Sequence, residues 1–572
     1  MRKNWKQYTA VCMAGGLVIL QLTGCAGKSA QVAKETTSVE SSDTAKEAVV
    51  ENSKDPDAEG GVTVTAQLAE DKVKEVRYLA EDLDAEWDEA AVTGIVLDAS
   101  GTMVEGDGAH VDGTTVTIEK GGTYVVSGEL EDGQIRIEAD EDSVVRLVLN
   151  GMKLSNKSTA PIYGSEKCKV ILTLEAGVEN VVSDGTAYQY EDEGEDEPDS
   201  PIFTEGDLTI NGTGKLEVHG NYQSGIRRKG KVIVASGVIS IDAKDDGLKG
   251  KDAVIIHDGV LNIKSVKDGI KSNNDADEDK GFVWIDGGDI TIAAQDDGIQ
   301  AETALVVNGG EITISESQEG LAGRTVDILD GLIKANTSDD GINSAASVET
   351  EQEKMQDQEG VYTRIAGGEI WLNASADGID SNGDLYVEGG ALYLSGPTGG
   401  GDGILDYNGT STITGGTVFA AGSSGMMQTF GDDSTQNYLV VYYTETQKGG
   451  TNVRLLNESG EELGSYTPER DYQAVIISSP NIQSGSTYQV MTGETAVEMA
   501  VSGVVTIYGT APTGGPGGRG GMGRSGGAGR PDGEQIQGGG KRTEREQMPE
   551  EGKNHGDMPP KEGTAQENQN GS

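Results

Sequence analysis

Seven short phrases in the middle of the chain join acidic side chains to a glycine and an aliphatic residue. They are Asp245-Asp246-Gly247-Leu248, Lys267-Asp268-Gly269-Ile270, Asp296-Asp297-Gly298-Ile299, Gln318-Glu319-Gly320-Leu321, Asp339-Asp340-Gly341-Ile342, Ala376-Asp377-Gly378-Ile379 and Gly401-Asp402-Gly403-Ile404. If these turns stack, their carboxylates form a column of like charge, and a divalent cation would remove the conflict. Carboxylate, carbonyl and amide oxygens are hard ligands suited to Ca²⁺. Asp245, Asp246, Asp268, Asp296, Asp297 and Asp340 are the candidate ligands. A second candidate is Asp275, Asp277 and Asp279, an alternating run like a loop calcium site, though it lacks the later Gly and Glu of an EF-hand. The phrase also has a purely structural reading: Asp caps local N–H groups and Gly takes positive φ in a turn. Glu319, Asp377 and Asp402 depart from the Asp-Asp form, so not every turn is expected to hold a metal. With 4 His and 3 Cys in the whole chain, zinc or copper chemistry is not expected.

A second candidate chemistry lies in three rings. Trp371, Tyr393 and Phe419 fall at one position after Gly368, Gly390 and Gly416. The same position holds Lys334, Thr313, Thr291, Asn262 and Ser240 in earlier repeats. A row of outward rings could stack on sugar faces, or it could be the seam against which residues 438–510 dock. Ile233, Ile255, Trp284 and Val306 form another outward row, apolar enough to need a cover or a partner.

The elements that must position these residues follow from the spacing. Gly225, Gly247 and Gly269 are 22 residues apart, as are Gly298 and Gly320. Each repeat also carries a Gly turn followed by apolar-x-apolar, as in Gly287-Gly288-Asp289-Ile290-Thr291-Ile292 and Gly309-Gly310-Glu311-Ile312-Thr313-Ile314. Val254, Ile256, Leu261 and Ile263 align with Val283, Ile285, Ile290 and Ile292, and with Leu305, Val307, Ile312 and Ile314, as the inward set. A fixed period in the twenties made of strands predicts an all-β chain, a parallel β-helix of about 22 residues per coil with three faces. Two stretched repeats place insertions near 273–279 and 348–360, and insertions in solenoids become loops on one face. The period stops near 432. Tyr438-Leu439-Val440-Val441 and Ala474-Val475-Ile476-Ile477 then suggest a small β domain or cap that shields the last coil.

The bulk numbers agree. Gly is 85 of 572 residues and aromatics are 5%, which suits a narrow, turn-rich solenoid with an aliphatic core. The net charge of −52, from 96 acidic and 44 basic residues, argues against nucleic acid as a partner. Arg2, Lys3 and Lys6 precede an apolar stretch from Ala10 to Leu22, too short to span a membrane, which reads as a signal peptide. It ends in Leu22-Thr23-Gly24-Cys25, which resembles the lipobox of bacterial lipoproteins and implies lipidation of Cys25. The expected organisation is a signal peptide over 1–24, a flexible tether over 25–74, the parallel β-helix over 75–430, the C-terminal β domain or cap over 431–510 and a disordered Gly-rich tail over 511–572. Cys168 alternates with Val170, Leu172 and Leu174, so it reads as a small buried hydrophobe.

Longer phrases carry a family resemblance. Gly121-Gly122-Thr123-Tyr124-Val125-Val126-Ser127-Gly128, Leu147-Val148-Leu149-Asn150-Gly151, Ala160-Pro161-Ile162-Tyr163, Asp207-Leu208-Thr209-Ile210-Asn211-Gly212 and Asp245-Asp246-Gly247-Leu248-Lys249-Gly250-Lys251-Asp252 occur in order. Over about residues 75–510 the chain resembles the calcium-binding, right-handed parallel β-helix family of bacterial carbohydrate-binding domain-containing proteins, akin to family nine polysaccharide lyases. The resemblance implies binding to plant-type polysaccharide, pectin-like or cellulose, with structural Ca²⁺ in the helix; together with the lipobox, the expected protein is a lipid-anchored, cell-surface monomer that binds glycan without catalysis. On that resemblance Trp371, Tyr393 and Phe419 become glycan-binding candidates. Gly225-Ile226-Arg227-Arg228-Lys229-Gly230 departs from the family's acidic pattern, which removes the ligands a calcium site there would need. The related lyases use a Lys base beside calcium to take a C5 proton from a uronate. Lys249 and Lys271 each follow an acidic-Gly turn, so a calcium-dependent lyase is the alternative, beside a surface adhesin or scaffold with no glycan ligand.

Overall fold

Alternation along each strand, repeated at a fixed interval, brings like residues back above one another. In the computed structural model, which describes residues 61–511 apart from 70–71, 191–193, 347–349 and 351–354, this repetition builds a parallel β-helix of about 12 turns. The signal peptide, Cys25, the tail beyond 511 and part of the 348–360 insertion lie outside the described residues.

Each coil contributes to three parallel sheets. The first sheet stacks the short strands after the acidic turns, such as Leu248–Gly250 and Ile270–Ser272. The second stacks strands such as Lys231–Val234, Ala253–Ile256 and Phe282–Ile285. The third stacks those after the Gly turns, such as Val260–Lys264, Asp289–Ala293 and Glu311–Ser317. The register is the one expected from sequence: Val254 pairs with Val283 and Val283 with Leu305, while Leu261 pairs with Ile290 and Ile290 with Ile312. All are buried in one continuous aliphatic core, and Cys168 is buried in it too.

The glycines of the acidic turns correct one expectation. Their φ angles are not positive; positive φ belongs to the other turn, as at Gly288 (97°) and Gly310 (93°). At the acidic turns the backbone itself is crowded. A Cβ on Gly320 would lie 2.5 Å from the Gly341 carbonyl oxygen, and one on Gly341 equally close to that of Gly378. These residues are glycine because successive coils touch there, a demand on space rather than on dihedral freedom.

The tether ends sooner than expected. Within 25–74 the strand Val62–Gln67 already pairs antiparallel with Val73–Tyr78, and this hairpin lies on the outer face of the second sheet. There Ala66, Leu68, Val76 and Tyr78 bury the row Ile233, Ile255, Trp284 and Val306, so the cover that row needs comes from far upstream in the same chain. The Tyr78 hydroxyl donates to Asp286 Oδ2 at 2.6 Å, and Trp284 Nε1 donates to Asp286 Oδ1 at 2.7 Å. Although buried, Asp286 is held below the usual carboxylate range by donors that include His257, Tyr78 and Asn308.

Both ends are closed. Met103–Glu105 and Ala109–Asp112 fold back antiparallel over the first coil. At the other end the third sheet passes into an antiparallel one: Thr417–Gly422 pairs with Tyr472–Ser478, which pairs with Tyr438–Gln447. One face of this extension, including Val440, Ala474 and Ile476, seals the solenoid core. The other face, with Phe419, Leu439, Val441 and Ile477, packs on a four-stranded sheet made of Val453–Leu456, Glu462–Tyr466, Thr487–Thr492 and Thr495–Ala500. The cap is therefore a small sandwich that shares a sheet with the helix.

Candidate functional site

The acidic turns join the third sheet to the first, and they form a stack. In several of these turns, though not at Asp246 or Glu319, the second acidic residue accepts a backbone N–H of the next coil. Asp268 Oδ1 accepts from Asp297 N at 3.0 Å, Asp297 Oδ1 from Glu319 N at 3.3 Å, and Asp340 Oδ1 from Asp377 N at 2.8 Å. The structural role read from sequence is thus real, but the capping runs between coils rather than within a turn.

What separates the coils is one outward position of the first sheet, two residues after the glycine in most turns and three after Gly403. The first-sheet register runs Arg227, Lys249, Lys271, Gln300, Ala322, Asn343, Asp380 and Asp406. The early carboxylates therefore have cations. Lys249 Nζ lies 2.6 Å from Asp246, Lys271 Nζ 2.5 Å from Asp268, and Lys267 Nζ 2.8 Å from Asp245. Arg227, in the departing coil, pairs with Asp199 and Glu197.

From Asp297 onward that position offers no cation. Asp268, Asp296 and Asp297 bring carboxylate oxygens within 4.8 Å of one another, and so do Asp340, Asp377 and Asp380. Burial, with Glu319 and Asp268 nearby, pushes Asp297 up to about 8. Burial and the charges of Asp380 and Asp377 push Asp340 to about 8, and burial with Asp377 and Asp406 does the same to Asp380. Asp377 is pushed to about 7 by burial and the carboxylates of Asp406 and Asp402, against the Gly403 N–H that favours its charge. Two amide oxygens on the same row, Gln300 Oε1 and Asn343 Oδ1, are buried and have no hydrogen-bond partner among the described residues. Orphaned oxygens beside carboxylates that repel one another are the donor set a hard cation takes.

Of the residues expected as ligands, Asp296, Asp297 and Asp340 stand in groups without a lysine of their own, whereas Asp245, Asp246 and Asp268 each face one; Asp268 joins the Asp296–Asp297 group through its other oxygen. Asp275, Asp277 and Asp279 are exposed and form no such group among the described residues; Asp277 accepts from Asp279 N and faces Lys280 at 4.0 Å. Asp377, set aside in the sequence as a departing turn, belongs to one of the groups, and Asp380 and Asp406 were missed. Their signal was in the sequence, as the only acidic residues in a column that starts with Arg227, Lys249 and Lys271.

The three rings do form one outward row. Trp371 pairs with Tyr393 and Tyr393 with Phe419 in the third-sheet register. The Trp371 and Tyr393 rings stack at 4.1 Å, and Tyr393 and Phe419 at 6.3 Å. Phe419 is 2% exposed, with Gly464 of the sandwich closely against its ring. It is a docking residue and no sugar can reach it, which corrects its place among the glycan-binding candidates. Trp371 and Tyr393 are half-buried and border a cleft of about 380 Å³ between the third sheet and the sandwich.

Comparison with known proteins finds likenesses over parts of the chain. Residues 112–360 match the family model of the carbohydrate-binding domain-containing protein, which supports the resemblance read from the sequence phrases. A carbohydrate-binding domain-containing protein of Acetivibrio thermocellus is 36% identical over 137 residues, which is 24% of this chain and 48% of that protein. The chain thus spans about half the length of that curated relative. A solved structure, the gadolinium derivative of a polysaccharide lyase-like protein from C. thermocellum, is 35% identical and has a TM-score of 0.38, with 39% of this chain and 90% of that chain covered.

Proposed function

We propose that this chain is a cell-surface lipoprotein that binds plant-type polysaccharide, pectin-like or cellulose, on its β-helix, with structural Ca²⁺ in the acidic turns and no bond cleavage. The observation that carries the reading is the stacked pair Trp371–Tyr393, half-open on the outer face where earlier coils present polar residues. Aromatic faces are electron-rich, so they attract the C–H-rich faces of pyranose rings. The family match over 112–360 supports a carbohydrate ligand. Asp340, Asp377 and Asp380 with the Asn343 amide oxygen would hold one cation, and Asp268, Asp296 and Asp297 with Gln300 another. The cation would supply charge neutralisation between coils and would bridge to a sugar carboxylate where one is offered.

The lyase alternative asks Lys249 or Lys271 to act as a base, which requires a neutral amine. Both lie in ion pairs, and despite burial the Asp268 carboxylate holds Lys271 above its ordinary value. That weighs toward binding without cleavage.

Two assays test the reading. Sedimentation of the full chain with cellulose and with calcium-polygalacturonate, each with and without chelator, should show retention that Trp371→Ala weakens. Absence of retention on every polymer removes the proposal. Incubation with polygalacturonate and Ca²⁺ at alkaline pH should give no ultraviolet absorbance from unsaturated product; a steady rise abolished by Lys271→Ala would establish the lyase instead.

A further inference from the structure

The cleft beside Trp371 and Tyr393 has walls from two parts of the fold. Its floor is the stacked pair. Its side is Tyr466 of the sandwich, tilted 56° to Trp371 at 6.0 Å and 42° to Tyr393 at 5.7 Å. The three rings therefore form a corner, not a flat strip. Around the mouth stand polar groups from both parts: Asn336 and Asn373 from the third sheet, and Thr467 and Glu469 from the sandwich. We propose that this corner is a composite subsite for a neutral hexopyranose unit, and that the sandwich, besides closing the helix, supplies half of the recognition. The proposal rests on the reading of the Trp371–Tyr393 pair as a sugar platform and goes further in naming the partner wall and the sugar class.

The volume of about 380 Å³ lies at the small end of pockets that take small ligands, so it suits one or two sugar rings rather than a long chain. The register agrees, because the position below Trp371 is Lys334 and the position above Tyr393 is the buried Phe419. A pyranose is apolar on its faces and ringed by hydroxyls at its edge. With a face on Trp371 and Tyr393, its edge meets Thr467, Glu469 and Asn336.

The electrostatics select the neutral sugar. Glu469 is exposed; its Oε2 accepts from Asn373 Nδ2 at 2.8 Å, which leaves Oε1 to accept a hydroxyl. Glu369 is nearby and accepts from Trp371 Nε1 at 2.7 Å. Of the cations at the mouth, Lys334 lies 3.6 Å from Glu311, and Arg470 is fixed by its Nε, which donates to the neutral Asn373 Oδ1 at 2.6 Å. A uronate carboxylate would meet two carboxylates there, Glu469 and Glu369, against the one guanidinium of Arg470. A hydroxyl donor meets an acceptor held in place. All these residues but Lys334, Asn336 and Glu311 lie outside 112–360, so the matched family segment does not supply the corner.

The test is calorimetric titration of the full chain with a neutral β-glucan hexamer and with an oligogalacturonate of equal length, in calcium. The neutral oligomer should bind at least tenfold tighter. Thr467→Ala and Glu469→Gln change exposed residues, so both should fold, as an unchanged melting temperature would verify. Thr467→Ala should weaken neutral-oligomer binding severalfold, and Glu469→Gln should weaken it by about tenfold while narrowing the gap to oligogalacturonate. If Trp371→Ala abolishes binding but both sandwich variants bind as the parent does, the sugar stacks without the sandwich: this inference falls and the platform reading stands. If all three variants bind normally, both fall. Tighter binding of oligogalacturonate by the parent chain overturns the neutral assignment.

Discussion

Asp380→Asn should change stability with opposite sign in the presence and absence of calcium. The Asp340, Asp377 and Asp380 oxygens lie within 4.8 Å of one another. Two ionised carboxylates at that separation repel by about 3.5 kcal/mol at an effective dielectric of 20. Asp380 is only half-buried, and groups with pKa values of about 7 to 8 share protons at pH 8. Both effects reduce what one charge costs, to about 1–2 kcal/mol. Without metal at pH 8, then, Asp380→Asn should stabilise the fold, which for a chain of this size is a rise in Tm of about 1–2 °C. With millimolar Ca²⁺ the same substitution removes a ligand, so the Tm gain on adding calcium should shrink and the variant should melt below the parent. Scanning calorimetry of parent and variant, each in chelator and in calcium, gives the four temperatures needed. If the variant melts lower in both conditions, the carboxylate is an ordinary structural acceptor and the charge conflict is wrong. If calcium moves neither protein, no cation is held there.

The pH dependence follows from the same groups. Asp297, Asp340, Asp377 and Asp380 are raised to about 7–8 in the fold, against an unfolded value near 4, so the native state binds the extra protons between those limits. Their contribution is full below the unfolded value and is lost as pH climbs through 7–8; in chelator, Tm should fall from pH 5 to pH 8.5, and a flat profile would contradict the burial of these acids. With calcium present the ionised forms are held, so the gap between calcium and chelator melts should widen as pH rises. Trp284, fully buried under the N-terminal hairpin, should cost about 3–5 kcal/mol when changed to Ala, read by chemical denaturation; a loss under 1 kcal/mol would mean the hairpin is not seated on it. Cys25→Ser should move the protein out of the membrane fraction or leave it unprocessed, and unchanged fractionation would remove the lipoprotein reading.

Inward and outward positions were legible because strand alternation has period two and the coils repeat it, so one aligned repeat constrains its neighbours. The register of Leu261, Ile290 and Ile312 needed nothing else. The N-terminal hairpin was not legible. Val62-Thr63-Val64-Thr65 alternates like a strand, but its partner surface begins at Ile233, and no local pattern reports a contact at that separation. The apolar row announced that something must cover it without saying what. The acidic turns were half legible. Their stacking came from the period, whereas their inequality comes from the residue two places past the glycine, and the motif as first drawn stopped one residue after it. The role of Phe419 depended on where the sandwich docks, which its own strands do not encode locally.

The N-terminal segment also alters how such a helix can come apart. A solenoid whose coils touch only their neighbours behaves as a one-dimensional chain and can fray from an end, coil by coil. Here residues 67–69 and 72–87 run across many coils at once. Trp87 holds Glu175, Asp82 holds Thr209, Tyr78 holds Asp286, and the Gln67 carbonyl accepts from Arg364. Coils far apart along the axis thus share one strap, and none of them can open without stripping part of it. That couples separate repeats into a common melting unit and shifts the loss of structure from gradual to concerted. Removal of the strap should restore fraying, with broad, non-coincident transitions where the intact chain shows one.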